Sequence, residues 1–490
     1  MGKDRKFTSR ELYELLDSAM GKTLGEVDIN HVFKKTNEHP KVTGIAGDVV
    51  EQSVLGFPAD NKAEPDIDVD GQLIEVKTTG IRVSKTKKGE FEAKEPVSVT
   101  GVSPETIVNE TFYDSKFWHK LKKILFVYYE YSSDKPVTAA EYAKFLLRGY
   151  DFYKFSNRDE KILKNDWQLV RDFIDDLHSQ PGFNDEEYAR LSHELRDKLM
   201  YIDTAPKWPN SPRFRLKRSL VTTIVQEHFS KKRLEQDVEE ICNISELNAT
   251  CHELTSKYKG KTVKYLAKEF KIPPTSKNGT VNKSIVEKVI VRMFGGKSAT
   301  INSLDVFRKS GIYGKTIILS NKDGRTEDTK LFTINFDEWL DKEVSFEESQ
   351  IFEYFSNNKL LCIQFKETKP GDLLESEFVG FKLLSFDDKF INEYAQKYIW
   401  DTVRKTIFNG ELKESFCNGK DGQPIINPCG TKKTEINFPK SRDNKKLFLR
   451  GTGQDSKHKT LQLCGIQMYQ QQVWIKGKDI VELLKEKEYL

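Results

Sequence analysis

Cysteine is scarce and unevenly placed: the chain has six, and none precedes Cys242. Cys242, Cys251, Cys362, Cys417, Cys429 and Cys464 show neither CxxC spacing nor a Cys/His zinc pattern, which excludes a disulfide framework and a zinc ribbon and predicts free thiols in a reducing cytoplasm. No apolar run approaches a membrane span, and the opening MGKDRKFTSREL lacks the apolar segment of a signal peptide. A large charge excess is missing too: 79 basic side chains face 75 acidic ones, a net of +4. Global charge therefore points to no polyanionic partner, although basic residues cluster locally at Lys116, Lys120, Lys122 and Lys123 and again at Arg213, Arg215, Lys217 and Arg218.

What is present is the composition of an ordinary globular chain, 37% hydrophobic and 11% aromatic with a mean hydropathy of −0.61. At 490 residues it exceeds a usual single core, so two or more domains are expected. The most informative stretch is EPDIDVDGQLIEVKT, Glu64 to Thr78. Ile67, Val69, Ile74 and Val76 alternate with polar residues, and Asp70-Gly71 is a preferred pair for a tight type I′ turn. That turn pairs Val69 with Gln72, Asp68 with Leu73, Ile67 with Ile74 and Asp66 with Glu75. Asp66, Asp68, Glu75 and Lys77 then share one face, the apolar set the other. Like charges opposite one another destabilise a sheet unless something compensates, and a divalent cation such as Mg²⁺, which prefers oxygen ligands, would do so. A solvated strand face would carry the same pattern by chance in a chain with 31% charged residues, so the remaining segments must decide.

Residues 8–20 read as a helix opened by Thr8 or Ser9, and residues 43–56 as a second helix with Glu51 among valines. Residues 95–101 and 124–132 read as strands, NDWQLVRDFIDDLHS as a helix, and KLMYIDTAPKWPNSPRFRLKRSLVTTIVQEHF as strand, Pro-rich loop, strand and helix. The second half replays this order. TVNKSIVEKVIVRMFG places Glu287 like Glu51, DVFRKSGIYGKTIIL is expected as a strand pair like the acidic hairpin, NNKLLCIQFKE matches HKLKKILFVYYE, and VWIKGKDIVELL matches FRLKRSLVTTIV. Order and spacing agreeing across several segments argue for a duplicated unit. Aligning GIYGKT with LIEVKT turns Glu75 into Tyr313 and keeps Lys77 as Lys315, so the second copy is expected to bind without cutting.

Asp66 or Asp68 followed by Glu75-Val76-Lys77 resembles the PD-(D/E)xK nuclease superfamily. The segments around it resemble one branch, the MutH mismatch-repair endonucleases together with Sau-type restriction endonucleases that cut at GATC. The ordered matches are Glu51 before the hairpin, His119-Lys120-Leu121-Lys122-Lys123, Asp166-Trp167, and Phe214-Arg215-Leu216-Lys217-Arg218, covering roughly residues 10–230. The resemblance implies an α/β (α+β) fold of two tandem MutH-like domains, the second without an active site. The expected boundaries are 1–235 for the catalytic domain, 236–260 for a linker and 261–490 for the inactive domain.

The resemblance further implies Mg²⁺ held by Asp66 and Glu75 with Glu51 as a further acidic ligand, Lys77 beside the attacking water, and Lys120 at the phosphate. Counting back seven residues from Glu75 gives Asp68, whereas the hairpin gives Asp66; Asp66 is favoured, with Asp68 the alternative or a co-ligand. Base reading falls to Lys207, Arg213, Arg215 and Lys217, with Arg450 and Lys476 in comparable places of the second half. Arg215 departs from the family, which often carries Tyr before Leu-Lys, and this bears on adenine-methylation sensing. The expected partner is double-stranded DNA, with two chains assembling on a palindrome because one active half cuts one strand. The alternatives are a MutH-like nicking enzyme of repair and a non-catalytic DNA-binding regulator.

Overall fold

The computed structural model describes residues 5–40, 42, 44–58, 64–84, 89–133, 137–205, 210–230, 241–275, 279–282, 284–325, 327–428, 430–453 and 459–490. Contacts divide the chain into two compact units. The first comprises Met1–Ser133, Val137–Thr250 and Ile290–Ile312, the second Asp134–Pro136, Cys251–Val289 and Tyr313–Leu490. Among the described residues no helix is long and apolar enough to cross a membrane. Cys242, Cys251 and Cys362 are buried free thiols and Cys464 is exposed, while Cys429 lies outside the described residues.

The first unit is built on a six-stranded sheet. Its path runs β1 (Lys6–Phe7), β2 (Ile67–Val69), β3 (Gln72–Val83), β6 (Ile124–Glu130) and β7 (Leu146–Tyr153), with β4 (Phe91–Ala93) also on β3. Asp70 at φ 50° and Gly71 at φ 82° form the left-handed pair that a type I′ turn needs, and the register Ile67 to Ile74, Asp68 to Leu73 and Val69 to Gln72 follows. The apolar face of this hairpin packs on helix Ser9–Ala19, which Thr8 and Glu11 close with a capping box, and on helix Ile45–Val49. β6 is parallel to β3 and buried on both faces except at its end, as its run ILFVYY requires. A second sheet pairs β9 (Arg213–Leu216) between β5 (Val97–Gly101) and β8 (Ile202–Asp203), followed by helix Arg218–Ser230.

The second unit repeats these pairings, down to their irregularities. β12 (Lys359–Lys366) lies between β10 (Ile312–Leu319) and β13 (Glu377–Leu384), and β19 (Gln471–Ile475) between β11 (Thr329–Thr333) and β16 (Leu447–Gly451). In the first unit Tyr128 faces Gly149 and Tyr129 faces Leu147, leaving Arg148 as a bulge. In the second Gln364 faces Gly380 and Phe365 faces Phe378, leaving Val379. Likewise Val99 bulges from β5 against Arg215 and Phe214, and Leu331 from β11 against Trp474 and Val473. Both bulged strand pairs thus keep their register, and bulges are specific features rather than defects of a sheet. Both units also place glycine beside the first bulge, where a Cβ would crowd His228 at Gly149 and Tyr489 at Gly380.

One expected repeat is absent. Asp305–Ser310 is a short helix closed by Gly311 at φ 70°, and a single strand, β10, follows it in place of a second acidic hairpin. The segment has no Asp-Gly pair to reverse a strand, and a left-handed glycine after an amphipathic turn ends a helix instead. This helix belongs to the first unit. There Lys309 is buried against Asp159 (3.0 Å) and Asp305 (3.1 Å), Arg158 reaches Asp305 (2.9 Å), and the Tyr201 hydroxyl donates to Asp159 (2.8 Å).

Candidate active site

Glu75 stands at the start of the parallel pairing between β3 and β6, opposite Ile124, with its N–H on the Lys123 carbonyl (3.1 Å). Its side chain is 1% exposed, which an isolated carboxylate would not tolerate. Two ammonium groups compensate. Lys77 lies two residues along the same face, with Nζ 2.7 Å from Glu75 Oε1, and Lys120 donates to Oε1 at 2.8 Å and Oε2 at 3.0 Å. Lys120 is delivered by helix Lys116–Leu121, whose Ser115 cap accepts the Trp118 N–H before the chain turns into β6. Burial raises the Glu75 pKa against the pull of Lys77 and Lys120, with Asp66 adding to the rise.

The two aspartates of the hairpin part company. Asp66 lies before β2 and its Oδ2 accepts the Val76 N–H (2.9 Å), which fixes its carboxylate beside β3 next to Glu75. Asp68 Oδ1 instead accepts the Gly71 N–H (2.8 Å) and braces the turn. Asp66 appears among the charges acting on both Glu51 and Glu75, and Asp68 among neither. Asp70 serves the fold: its carboxylate takes the Ser9 N–H at 3.0 Å.

Glu51 arrives from the helix side. Helix Ile45–Val49 widens into a π-turn over Val50–Val54, which buries Val49, Val50, Ser53 and Val54 and leaves Glu51 half-buried. Burial, then the charges of Asp66 and Asp48, push its pKa up to about 7, while Lys77 lowers it. Three carboxylates thus gather around two ammonium groups, an excess of one negative charge only when all three are ionised. Among the described residues no group of three His, Cys, Asp or Glu side chains is close enough to cage a metal ion. The donors do fit a hard cation chemically. Asp66 and Glu75 supply carboxylate oxygens, the usual protein share for Mg²⁺, and the like-charge pressure on Glu51 is what a cation would relieve.

The residues expected to read bases are scattered among different roles. Lys207 lies outside the described residues. Arg213 is exposed on β9, whereas Arg215 is tied to Asp203 by two hydrogen bonds of 2.7 and 3.1 Å. Lys217 is 2% exposed, and its Nζ donates to the Leu199 carbonyl (2.8 Å). Its charge neighbours are Asp166, Asp203 and Asp197. Asp166 in turn accepts the N–H groups of Met200, Tyr201 and Ile202 and so holds the same segment. Lys476 is also buried, at the N-terminus of helix Gly477–Lys485, while Arg450 is 41% exposed and paired with Asp328 (2.7 Å). Asp159, Lys309 and the bracing use of Asp166 had no signal in the sequence, because their partners lie far along the chain.

The second unit is depleted at the same place. The shared register puts Ser356 where Lys120 stands, four residues before the matched strand. Lys315 is in electrostatic range of Cys362, the counterpart of Phe126, which pairs with Lys77. Desolvation raises the Glu287 pKa and Lys315 pulls it back, as Lys77 does for Glu51. Desolvation depresses Lys315 to about 8, and Lys330 adds to the depression. Here one carboxylate, Glu287, meets one ammonium group, Lys315, and Lys330 adds a second positive charge near Lys315.

Residues 55–166 match the family model described as MutH, DNA mismatch repair enzyme MutH. The matched segment contains Asp66, Glu75, Lys77 and Lys120, and ends at Asp166. No curated protein matches the chain.

Proposed function

We propose, from the premise that this chain is a MutH-like DNA endonuclease, that it is a Mg²⁺-dependent type II restriction endonuclease hydrolysing phosphodiester bonds at GATC in double-stranded DNA. The observation that carries this reading is the convergence of Lys77 and Lys120 on a buried Glu75 beside Asp66. Asp66 and Glu75 would hold the cation, with Glu51 as the further acid. When bound, Mg²⁺ neutralises phosphate oxygens and lowers the pKa of a water. Lys77 and Lys120 both oppose the rise that burial imposes on the Glu75 pKa. Lys77, the more exposed of the two lysines, orients the attacking water and stabilises the charge that grows on the phosphate.

The common register and bulges of the two units support a duplicated MutH-like domain. Loss of the carboxylate at Tyr313, of the ammonium at Ser356 and of the acidic hairpin supports a second copy that does not cut. Double-strand breaks then need two chains or two sequential visits by one. A second reading, a nicking enzyme of repair, is favoured by the description of the matching family alone. Supercoiled plasmid with GATC sites separates the two: linear product with Mg²⁺ supports restriction, and open circles alone support nicking.

A further inference from the structure

The largest departure between the two units lies just before their last shared strand. The first unit has residues 179–212 between helix Asn157–His178 and β9, and the second has 409–470 between helix Thr402–Phe408 and β19. The added chain folds as two small hairpins, β14 (Glu414–Phe416) with β15 (Thr434–Ile436) and β17 (Leu461–Leu463) with β18 (Ile466–Met468). Together with β16 they wall a cleft of about 810 Å³.

Six cations line it: Lys432, Lys433, Lys440, Arg442, Arg450 and Lys459. Three are neutralised by pairing, Arg442 with Glu435 (2.7 Å), Lys459 with Glu414 (2.6 Å) and Arg450 with Asp328 (2.7 Å). Among the described residues no carboxylate lies within ion-pair distance of Lys432, Lys433 or Lys440. In a chain whose net charge is only +4, six cations in one cleft against the lining carboxylates Glu414 and Glu435 are a local field, although Glu435 acts at longer range on Lys433 and Lys440 and Asp443 on Lys440. Burial lowers the pKa of Lys440, a sign of a desolvated cation with too little negative charge around it.

The same hairpin exposes Phe416, Ile425 and Ile426, and the Lys432 ammonium sits 5.0 Å from the Phe416 ring. Amides of Asn418, Asn427 and Gln471 reach the cleft as well. Cations for phosphates, amides for base edges and an exposed ring are the combination with which proteins hold DNA.

We infer that this cleft is a second DNA site, which grips a duplex by its phosphates through Lys432, Lys433 and Lys440 and needs no metal to do so. The inference rests on the nuclease reading for its ligand, and it places the DNA contacts of the second unit on the added hairpins rather than on Lys476.

The test uses the full chain in EDTA, where cutting cannot occur, with a labelled GATC duplex titrated over a range of KCl. Each phosphate contact contributes about 0.9 to the slope of log K against log salt. Lys432→Ala/Lys433→Ala is expected to reduce that slope by about 1.8, and adding Lys440→Ala by about 2.7 in all. Lys485→Ala/Lys487→Ala removes the same charge at another exposed place and is expected to leave the slope as it is. Lys432 and Lys433 are exposed, so the double variant tests binding without disturbing a core. A wild type that cuts with Mg²⁺, beside a double variant with an unchanged slope, overturns the cleft and leaves the nuclease reading standing. A wild type that neither binds nor cuts overturns both.

Discussion

Two ammonium groups, Lys77 and Lys120, reach Glu75 inside the sheet and oppose the rise that burial imposes on its pKa, and each can be removed separately. Lys77→Ala is expected to lower cleavage by about 10²- to 10⁴-fold while leaving DNA affinity near wild type, measured by single-turnover cutting beside binding in EDTA. Glu51 gives a prediction in pH. Its pKa of about 7, against the ordinary 4.5, means that the folded chain keeps a proton that the unfolded chain has lost. Folding stability should therefore fall as pH rises from about 4.5 to 7, by up to ~3 kcal/mol from this group. Thermal melts in EDTA at pH 5 and pH 8 read the fall, which Glu51→Gln should reduce and Mg²⁺ should offset at pH 8. At this scale the sequence was informative where neighbours are close in the chain: Asp66, Glu75 and Lys77 were placed by a two-residue turn. The burial of Lys217 was not legible, since a lysine after an alternating strand looks the same in sequence whether it meets solvent or a carbonyl eighteen residues back.

At the scale of elements, Asp166 does the work of a strand that is barely there. β8 is two residues long, and the segment before it hangs on the Asp166 carboxylate and on Lys217. Asp166→Ala would leave three buried N–H groups without their acceptor and remove one of the charges around the buried Lys217, and an expected loss of about 3–5 kcal/mol follows. Urea unfolding measures it, and a change below about 1 kcal/mol would show the segment to be held otherwise. The acidic hairpin was legible because Asp70-Gly71 fixes its register. The two bulges were not, since a single extra residue leaves no mark in an alternating pattern. Nor was the helix Asp305–Ser310, where resemblance between halves suggested a hairpin and Gly311 dictated a helix end.

At the scale of the whole molecule, sequence order and contact order diverge. Residues 290–312 follow more than half of the chain yet complete the first unit, through Lys309 buried against Asp159. Lys309→Met should therefore destabilise the first unit, by about 3–5 kcal/mol, although it lies far from Glu75 in sequence. A chain ended near residue 240 should suffer the same loss, so weak cutting by such a truncation would report instability as well as the missing second unit. The shared order of the strand pairs in the two units was legible in the order of segments. The place of residues 290–312 in the first unit was not, because the contacts that hold them, Lys309 with Asp159 and Arg158 with Asp305 among them, join segments far apart in the chain. The most direct test of the account is plasmid cleavage by wild type beside Glu75→Ala, with Mg²⁺ and with EDTA. Linear product from wild type with Mg²⁺ alone, and uncut plasmid from Glu75→Ala at equal DNA affinity, is the predicted result. Cutting by Glu75→Ala at the wild-type rate would contradict it.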